Sequence, residues 1–551
     1  MLDAIIDRVG DWNPQLFREL KGQLKPRGLI IVGFISFVLQ LLLYLIFASQ
    51  VSKDPQISSI YITSENGVRT VNWALWSGDI FVTLSFFAIF ILLPIGTYLL
   101  TANLAKEARK GTLNFVRMSP QSALDILIGK MLGVPALLYW GFAIAFPFHF
   151  AFGIGAGIPF YRVLGFELIL VAACAFFYSI ALLVGLLPFE NNTRSSLPWL
   201  VGLITLIYLI FIQGSIFSNG SFEGVFNILY LFHPGFYLKS IAANTSPFMF
   251  SRTGQIGWYT IDLTTASNFL LLFGLANFTL WIYWFAQALK RRFHDVRKPL
   301  WSKSQSYCIS ASFMVINLGF ALSHLPDYNR HRLQLLALQQ ILYFLVAMGL
   351  IIAISPLREQ VQIWSLHRPQ YRRGMASLIF DEKSPAVLAV GINGAILYAG
   401  VVVYAIAAAW LPTSPSDRNL FLLGTTLACL VISWILIVLI ASVYQILLLN
   451  KSRRRAVLAK SGLLGMVFLV PLAIFFAFIS SDLQPMLAWL FTPFALFTVR
   501  EVNLVEIIFA FVSQSLAIAA VTINTHNSIR RLGASEAQVL LNQNASTGLK
   551  P

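Results

Sequence analysis

Charge is scarce in this chain. Only 11% of its 551 residues are Asp, Glu, Lys or Arg, against about 25% in ordinary soluble domains, and acids are fewer than bases, 23 against 39. So few charges exclude the usual water-soluble surface. Cysteine is scarcer still: Cys174, Cys308 and Cys429 all fall within apolar runs, without the paired spacing of a structural zinc site or a disulfide framework. There is no H-E-x-x-H motif and no G-x-x-x-x-G-K-[ST] phosphate loop. The chain therefore has neither a zinc-hydrolase helix nor that cradle for ATP phosphates, and no metal site and no catalytic residues are assigned.

Apolar residues fill the chain instead, at 57% with a mean hydropathy of +0.74. A helix crossing a bilayer needs about 20 mostly apolar residues. Such runs fall at residues 29–48, 80–102, 131–152, 163–187, 197–217 and 269–289, and again at 307–322, 335–354, 386–411, 420–440, 463–479 and 504–521. Backbone groups in lipid must bond within their own segment, so the chain reads as an all-α polytopic membrane protein with about twelve transmembrane helices. The first run starts after about 28 residues and lacks a small-residue cleavage site, the pattern of a retained span rather than a signal peptide.

The basic excess follows the loops. With the N-terminus in the cytoplasm, the cytoplasmic segments hold 30 of the 39 Lys and Arg and the outer segments nine, which predicts both termini inside. The net charge of +16 is thus first a topology signal facing anionic headgroups, with no nucleic-acid partner expected. Trp73, Trp76, Trp258, Trp410 and Trp489 lie near span ends and read as interfacial belts. Within the spans, His149, Glu167 and Glu506 are the candidates for a proton or substrate role, because intramembrane charge is costly.

Two stretches outside the lipid carry more signal. In NPQLFRELKGQLKPRG, Asn13 suits an N-cap and Pro14 the first helical position. Leu16, Phe17, Leu20 and Leu24 share one face, and Arg18, Lys21 and Lys25 the other. That is the pattern of a short interfacial helix before the chain enters the membrane at Pro26. The second stretch, ARKGTLNFVRMSPQSALDILIGK, joins spans two and three. Gly111 supplies a tight turn and Thr112 caps a short helix over residues 113–118. Ser119 caps a second helix with Pro120 at its first position, and Lys130 reaches back to the headgroups. The result is a compact helical bracket suited to docking another protein.

The set Glu107, Gly111-Thr112-Leu113, Ser119-Pro120 and Gly129-Lys130 resembles the cytoplasmic connection of type-2 (ABC-2) exporter permeases. The motif covers about 30 residues, and the interfacial helix with six spans extends the likeness over Asn13 to Leu289. The resemblance implies that these eight residues couple to a separate cytoplasmic ABC ATPase. It also implies that ATP and magnesium are held by that partner with no cofactor in this chain, that substrate moves outward, and that the chain sits in a bacterial inner (plasma) membrane.

A permease half of that family is complete with six spans, so the further six point to a parallel duplication. Ser384-Pro385 lies 265 positions after the first Ser-Pro, counted from Pro120 to Pro385. FTPFALFTV, with Thr492 and Pro493, lies 259 positions after FHPGFYLKS, with His233 and Pro234, counted between the prolines. The expected organisation is an interfacial N-terminus at 1–28, six-helix halves at 29–289 and 307–521, a cytoplasmic linker at 290–306 and a tail at 522–551. Glu382, Lys383, Ser384 and Pro385 are the second-half coupling candidates, although no Gly-Thr-Leu accompanies them. His233, Pro234, Thr492 and Pro493 are candidates for an outer gate, on short re-entrant helices or on extra or surface-lying ones. Two other classes stay open: an ion-coupled secondary carrier, disfavoured by the shortage of buried charge, and a non-transporting membrane scaffold that recruits a soluble partner.

Overall fold

The computed structural model describes residues 10–51, 60–65, 68–187, 191–217, 224–242, 256–263, 265–323, 332–367, 375–410, 420–452, 454–477, 492–493, 495–499 and 502–533. Among them, twelve helices are long and apolar enough to cross a membrane. The strands there are two small antiparallel hairpins, β1 (Ile62–Glu65) with β2 (Val68–Val71) and β3 (Gly257–Trp258) with β4 (Ile261–Asp262). The protein is an all-α, multi-pass integral membrane protein, as its hydropathy requires. It divides into two compact units, Met1–Val296 and Arg297–Pro551.

In the first unit, α1 (Pro14–Gln23) precedes the first span, α2 (Pro26–Ser49). The second span, α3 (Trp73–Lys110), has 38 residues, or about 57 Å at 1.5 Å per residue, nearly twice the thickness of the hydrocarbon layer. It overruns the apolar run 80–102 at both ends, and Lys106, Glu107, Arg109 and Lys110 cluster at the Lys110 end. Two short helices follow, α4 (Thr112–Arg117) and α5 (Ala123–Gly133), before the third span, α6 (Ala136–Gly155). Pro135, which has no N–H to donate, separates α5 from α6. The fourth to sixth spans are α7 (Phe160–Gly185), α8 (Asn191–Phe217) and α10 (Ser267–His294), with the short α9 (Pro234–Ala242) between the last two.

Helix α3 is the hub: α6, α7 and α8 all pack on it, while α2 packs on α6 and α10 on α7. A Cβ on Gly96 of α3 would stand 2.1 Å from the Tyr178 hydroxyl. Glycine there admits the ring of α7, and Tyr178 donates to the Leu92 carbonyl at 2.8 Å. Trp76, expected in an interfacial belt, is instead buried and donates through Nε1 to the Phe47 carbonyl at 2.9 Å, pinning α3 to α2.

The second unit holds the spans α11 (Lys303–Ser323), α12 (Arg332–Ile354), α15 (Val387–Trp410) and α16 (Leu420–Leu449), with the short helices α13 (Arg358–His367) and α14 (Met375–Phe380) between α12 and α15. The eleventh span is composite. Helix α17 (Arg455–Leu464) passes through a π turn at Gly465–Leu469 into α18 (Val470–Ala477), close to Pro471, where the backbone ladder lacks a donor. The last span is α19 (Leu504–Gly533). Here α15 packs on α11, α12 and α16, and α19 packs on α16. The side chain of Asn393 on α15 bonds Ser306 at 2.8 Å and Ser310 at 2.7 Å, both on α11. Cys174 and Cys429 are buried, Cys308 is exposed, and all three are free thiols.

Candidate functional site

The predicted bracket is built on a braced pedestal. Asn13 caps α1, its Oδ1 accepting from the Leu16 amide at 2.9 Å, and its Nδ2 donates to the Asp125 carbonyl of α5 at 2.7 Å. Helix α1 lies so close to α5 that a Cβ on Gly129 would meet Asn13 Oδ1 at 2.8 Å, and one on Gly133 would meet Glu19 Cβ at 2.5 Å. Two glycines four residues apart thus form the seat of α1. The buried side of α1 carries Gln15, Leu16 and Glu19 rather than an all-leucine face, because Glu19 turns toward a buried cation.

That cation is Lys130. Its side chain is fully buried, with Nζ 2.7 Å from Glu107 Oε1 and 3.4 Å from Glu19 Oε1. It also donates to Asn103 Oδ1 at 2.8 Å. Arg18 completes the cluster at 2.8 Å from Glu107 and 3.2 Å from Glu19, but its side chain is half exposed. Lys130 therefore does not reach for headgroups. It locks α5 to α3 and α1.

At the tip, Gly111 ends α3 with φ +74°, the left-handed region that glycine tolerates best, and a Cβ there would touch nothing. Thr112 is the first residue of α4 rather than its cap, and its hydroxyl donates to the Glu107 carbonyl at 3.3 Å. Leu113 is buried, anchoring the short helix. The expected cap at Ser119 shifts by three residues. Ser122 caps α5, accepting from the Asp125 amide at 3.1 Å and bonding the Asp125 carboxylate at 2.6 Å. Ser119 and Pro120 lie in the turn before it, and the Ser119 hydroxyl is buried with no partner among the described residues.

Two residues missed in the sequence stand out here. Phe115 is 72% exposed and Met118 74%, on one side of a helical turn beside Arg109, Lys110 and Asn114. Both are large apolar side chains left out of the core beside charged residues. Two large hydrophobes inside an otherwise basic loop were the available signal.

In the second unit, Ser384 and Pro385 are also held by a buried lysine. Lys303, at the start of α11, donates to the Leu378 carbonyl at 2.7 Å, the Pro385 carbonyl at 3.0 Å and the Ser384 hydroxyl. Tyr307 adds a bond to the Ile379 carbonyl at 2.8 Å. Glu382 is half-buried and Lys383 exposed, the latter's amide bonded to Asp381. The six-residue α14 just before this turn again exposes two large hydrophobes, Met375 at 70% and Phe380 at 59%.

At the opposite end of the first unit, Pro234 opens α9, which is buried against α3, α7, α8 and α10. His233 Nδ1 accepts from the Gly235 amide at 2.9 Å, and Tyr237 donates to the Leu231 carbonyl at 2.7 Å. In the second unit Thr492 and Pro493 are buried just before a 3-10 turn at Ala495–Thr498, while residues 478–491, with Trp489, lie outside the described residues.

The intramembrane charges resolve differently from one another. Glu506 is a capping residue: its carboxylate accepts from the Asn503 amide and its amide donates to the Asn503 side chain, both at 3.1 Å. His149 and Glu167 meet, Nδ1 to Oε1 at 2.7 Å, both side chains nearly fully buried, as a close contact off the hydrogen-bonding direction. Ser85 Oγ stands 2.7 Å from His149 Nε2 and 2.8 Å from the Phe81 carbonyl, so one polar cluster ties α3, α6 and α7. His149 also touches an apolar groove of about 420 Å³ between α2, α3 and α6, where Ser36 and Gln40 are the other polar residues. No group of three or more metal-ligating side chains occurs among the described residues. No protein family, curated protein or solved structure matches this chain.

Proposed function

We propose that this protein is the membrane-spanning permease subunit of an ATP-driven exporter, worked by a separate cytoplasmic ABC ATPase. The observation that carries the reading is the bracket tip. Phe115 and Met118 are exposed on a short helix whose base is fixed by Lys130, Glu107, Glu19 and Arg18. An exposed apolar pair on a preorganised support is what a partner's pocket needs, since little ordering cost remains to be met on binding.

The distribution of Lys and Arg supports a cytoplasmic position for the bracket end and both termini. Helix α14 with Met375 and Phe380 is then the second-half counterpart. A parallel duplication is supported by corresponding packing: the first and third spans, the second and third, and the fourth and sixth pair in both units. ATP binding by the partner would displace the brackets and, through α3 and α5, bias the spans between inward- and outward-open arrangements.

The test is gentle purification of the full chain from native membranes, with mass spectrometry and an ATPase assay, comparing wild type with Phe115→Ser/Met118→Ser and with Gly111→Trp. Recovery of a nucleotide-binding subunit that both variants weaken supports the reading. No ATPase with wild type, in a preparation that keeps known complexes intact, refutes it. A second reading, the ion-coupled carrier, is favoured by one observation, the buried His149–Glu167 contact. It requires flux driven by an ion gradient in proteoliposomes without ATP.

A further inference from the structure

We infer that Arg117 and Arg194 form a binding site for a phosphate group at the bracket end of the first unit, filled in the membrane by the headgroup of an anionic lipid. Arg117 closes α4 and Arg194 stands in the first turns of α8. Both are half-buried. The Nε of each is buried and has no hydrogen-bond partner among the described residues, and none of the ion pairs found among those residues involves either arginine. The Arg117 guanidinium lies 6.0 Å from the ring centre of Phe293, in the last turn of α10. Burial first, and the charge of Arg194 second, push the Arg117 guanidinium below its usual range.

Two partly desolvated cations that repel each other and lack an acid are unfavourable as they stand. An anion between them removes both penalties. Phosphate suits the pair because guanidinium forks bind its oxygens bidentately, and the N-terminus of the 27-residue α8 adds the positive end of its dipole. The lipid source follows from position. Arg194 and Phe293 mark where spans five and six leave the bilayer, and the topology proposed above makes this the cytoplasmic leaflet, which carries anionic headgroups. The site stands whether or not an ATPase docks on the bracket.

The test uses the purified full chain in nanodiscs of phosphatidylcholine with or without phosphatidylglycerol, and in neutral detergent with inorganic phosphate. Native mass spectrometry counts bound phosphatidylglycerol, and thermal unfolding is followed for wild type, Arg117→Gln and Arg194→Gln. Each variant is expected to lose about tenfold in phosphatidylglycerol affinity, the size of one charge-assisted contact. In neutral detergent without phosphate each is expected to unfold at the same temperature as wild type or higher, because the repulsion is relieved. A response of wild type to inorganic phosphate but not to phosphatidylglycerol would keep the phosphate site and overturn the lipid assignment. Equal lipid binding by wild type and variants overturns the site. So does a lower unfolding temperature of both variants in the phosphate-free detergent, which would make the arginines structural, and so does capture of an acidic peptide with no phosphate response.

Discussion

Lys130→Met tests the pedestal most directly. Methionine keeps much of the stem's volume and removes the charge, leaving Glu107 and Glu19, with side chains 13% and 10% exposed, facing an apolar terminus. Breaking a buried ion pair by removing one partner costs about 3–5 kcal/mol. Arg18 already touches both carboxylates at 2.8 and 3.2 Å and remains to compensate, so the lower end applies, about 3 kcal/mol. Arg18→Met removes a half-exposed, screened cation from the same carboxylates, and its expected cost is within about 1 kcal/mol. The loss should be local first: backbone amides of α1 exchange faster in Lys130→Met, read by hydrogen–deuterium exchange, alongside equilibrium unfolding in mixed detergent. Adding Glu107→Gln to Lys130→Met should recover part of the loss, since one stranded carboxylate disappears. Equal costs for Lys130→Met and Arg18→Met, or no recovery in the double variant, would refute the buried-cation account.

Gly133→Val should lift α1 from its seat, at about 1–3 kcal/mol for overpacking, and raise exchange across residues 14–23. Gly22→Ala on the same helix, where a Cβ meets nothing, should be neutral or stabilising by up to about 1 kcal/mol. His149→Ala leaves the buried Glu167 carboxylate without its neighbour and should destabilise the first unit by about 1–3 kcal/mol, whereas His149→Ala with Glu167→Gln should cost less. A single variant no worse than the double, in the same unfolding assay, would count against the contact.

The spans, the Asn13 cap and the Gly111 turn were legible because each is set by neighbours in sequence: apolar run length, cap geometry and the need for positive φ. The bracket's second cap is ambiguous in sequence because Ser119 and Ser122 both suit the pattern. Ser122 prevails since its hydroxyl accepts from the Asp125 amide three residues on and donates to the Asp125 carboxylate, a pairing Ser119 lacks. Glu506 looked like an intramembrane charge until Asn503 appeared as its reciprocal partner. Trp76, the Lys130 cluster and the His149–Glu167 contact depend on residues brought together from different helices, and no local periodicity encodes those distances. Lys303 went unnoticed for the same reason, its partners lying 75 to 82 positions away.

Helix α3 runs without a break from the bilayer to the tip of the bracket, and this gives the second span a lever arm. With the span read as residues 80–102, the eight residues on to Lys110 reach about 12 Å past the hydrocarbon layer, and a tilt of roughly 10° about that edge sweeps the tip through roughly 2 Å. Glu107, near the far end of that arm, is tied through Lys130 to α5 and α1, so both helices must travel with it. A tilt of the span is then shared by three helices, and the second span cannot swing without carrying α1 and α5 as one body.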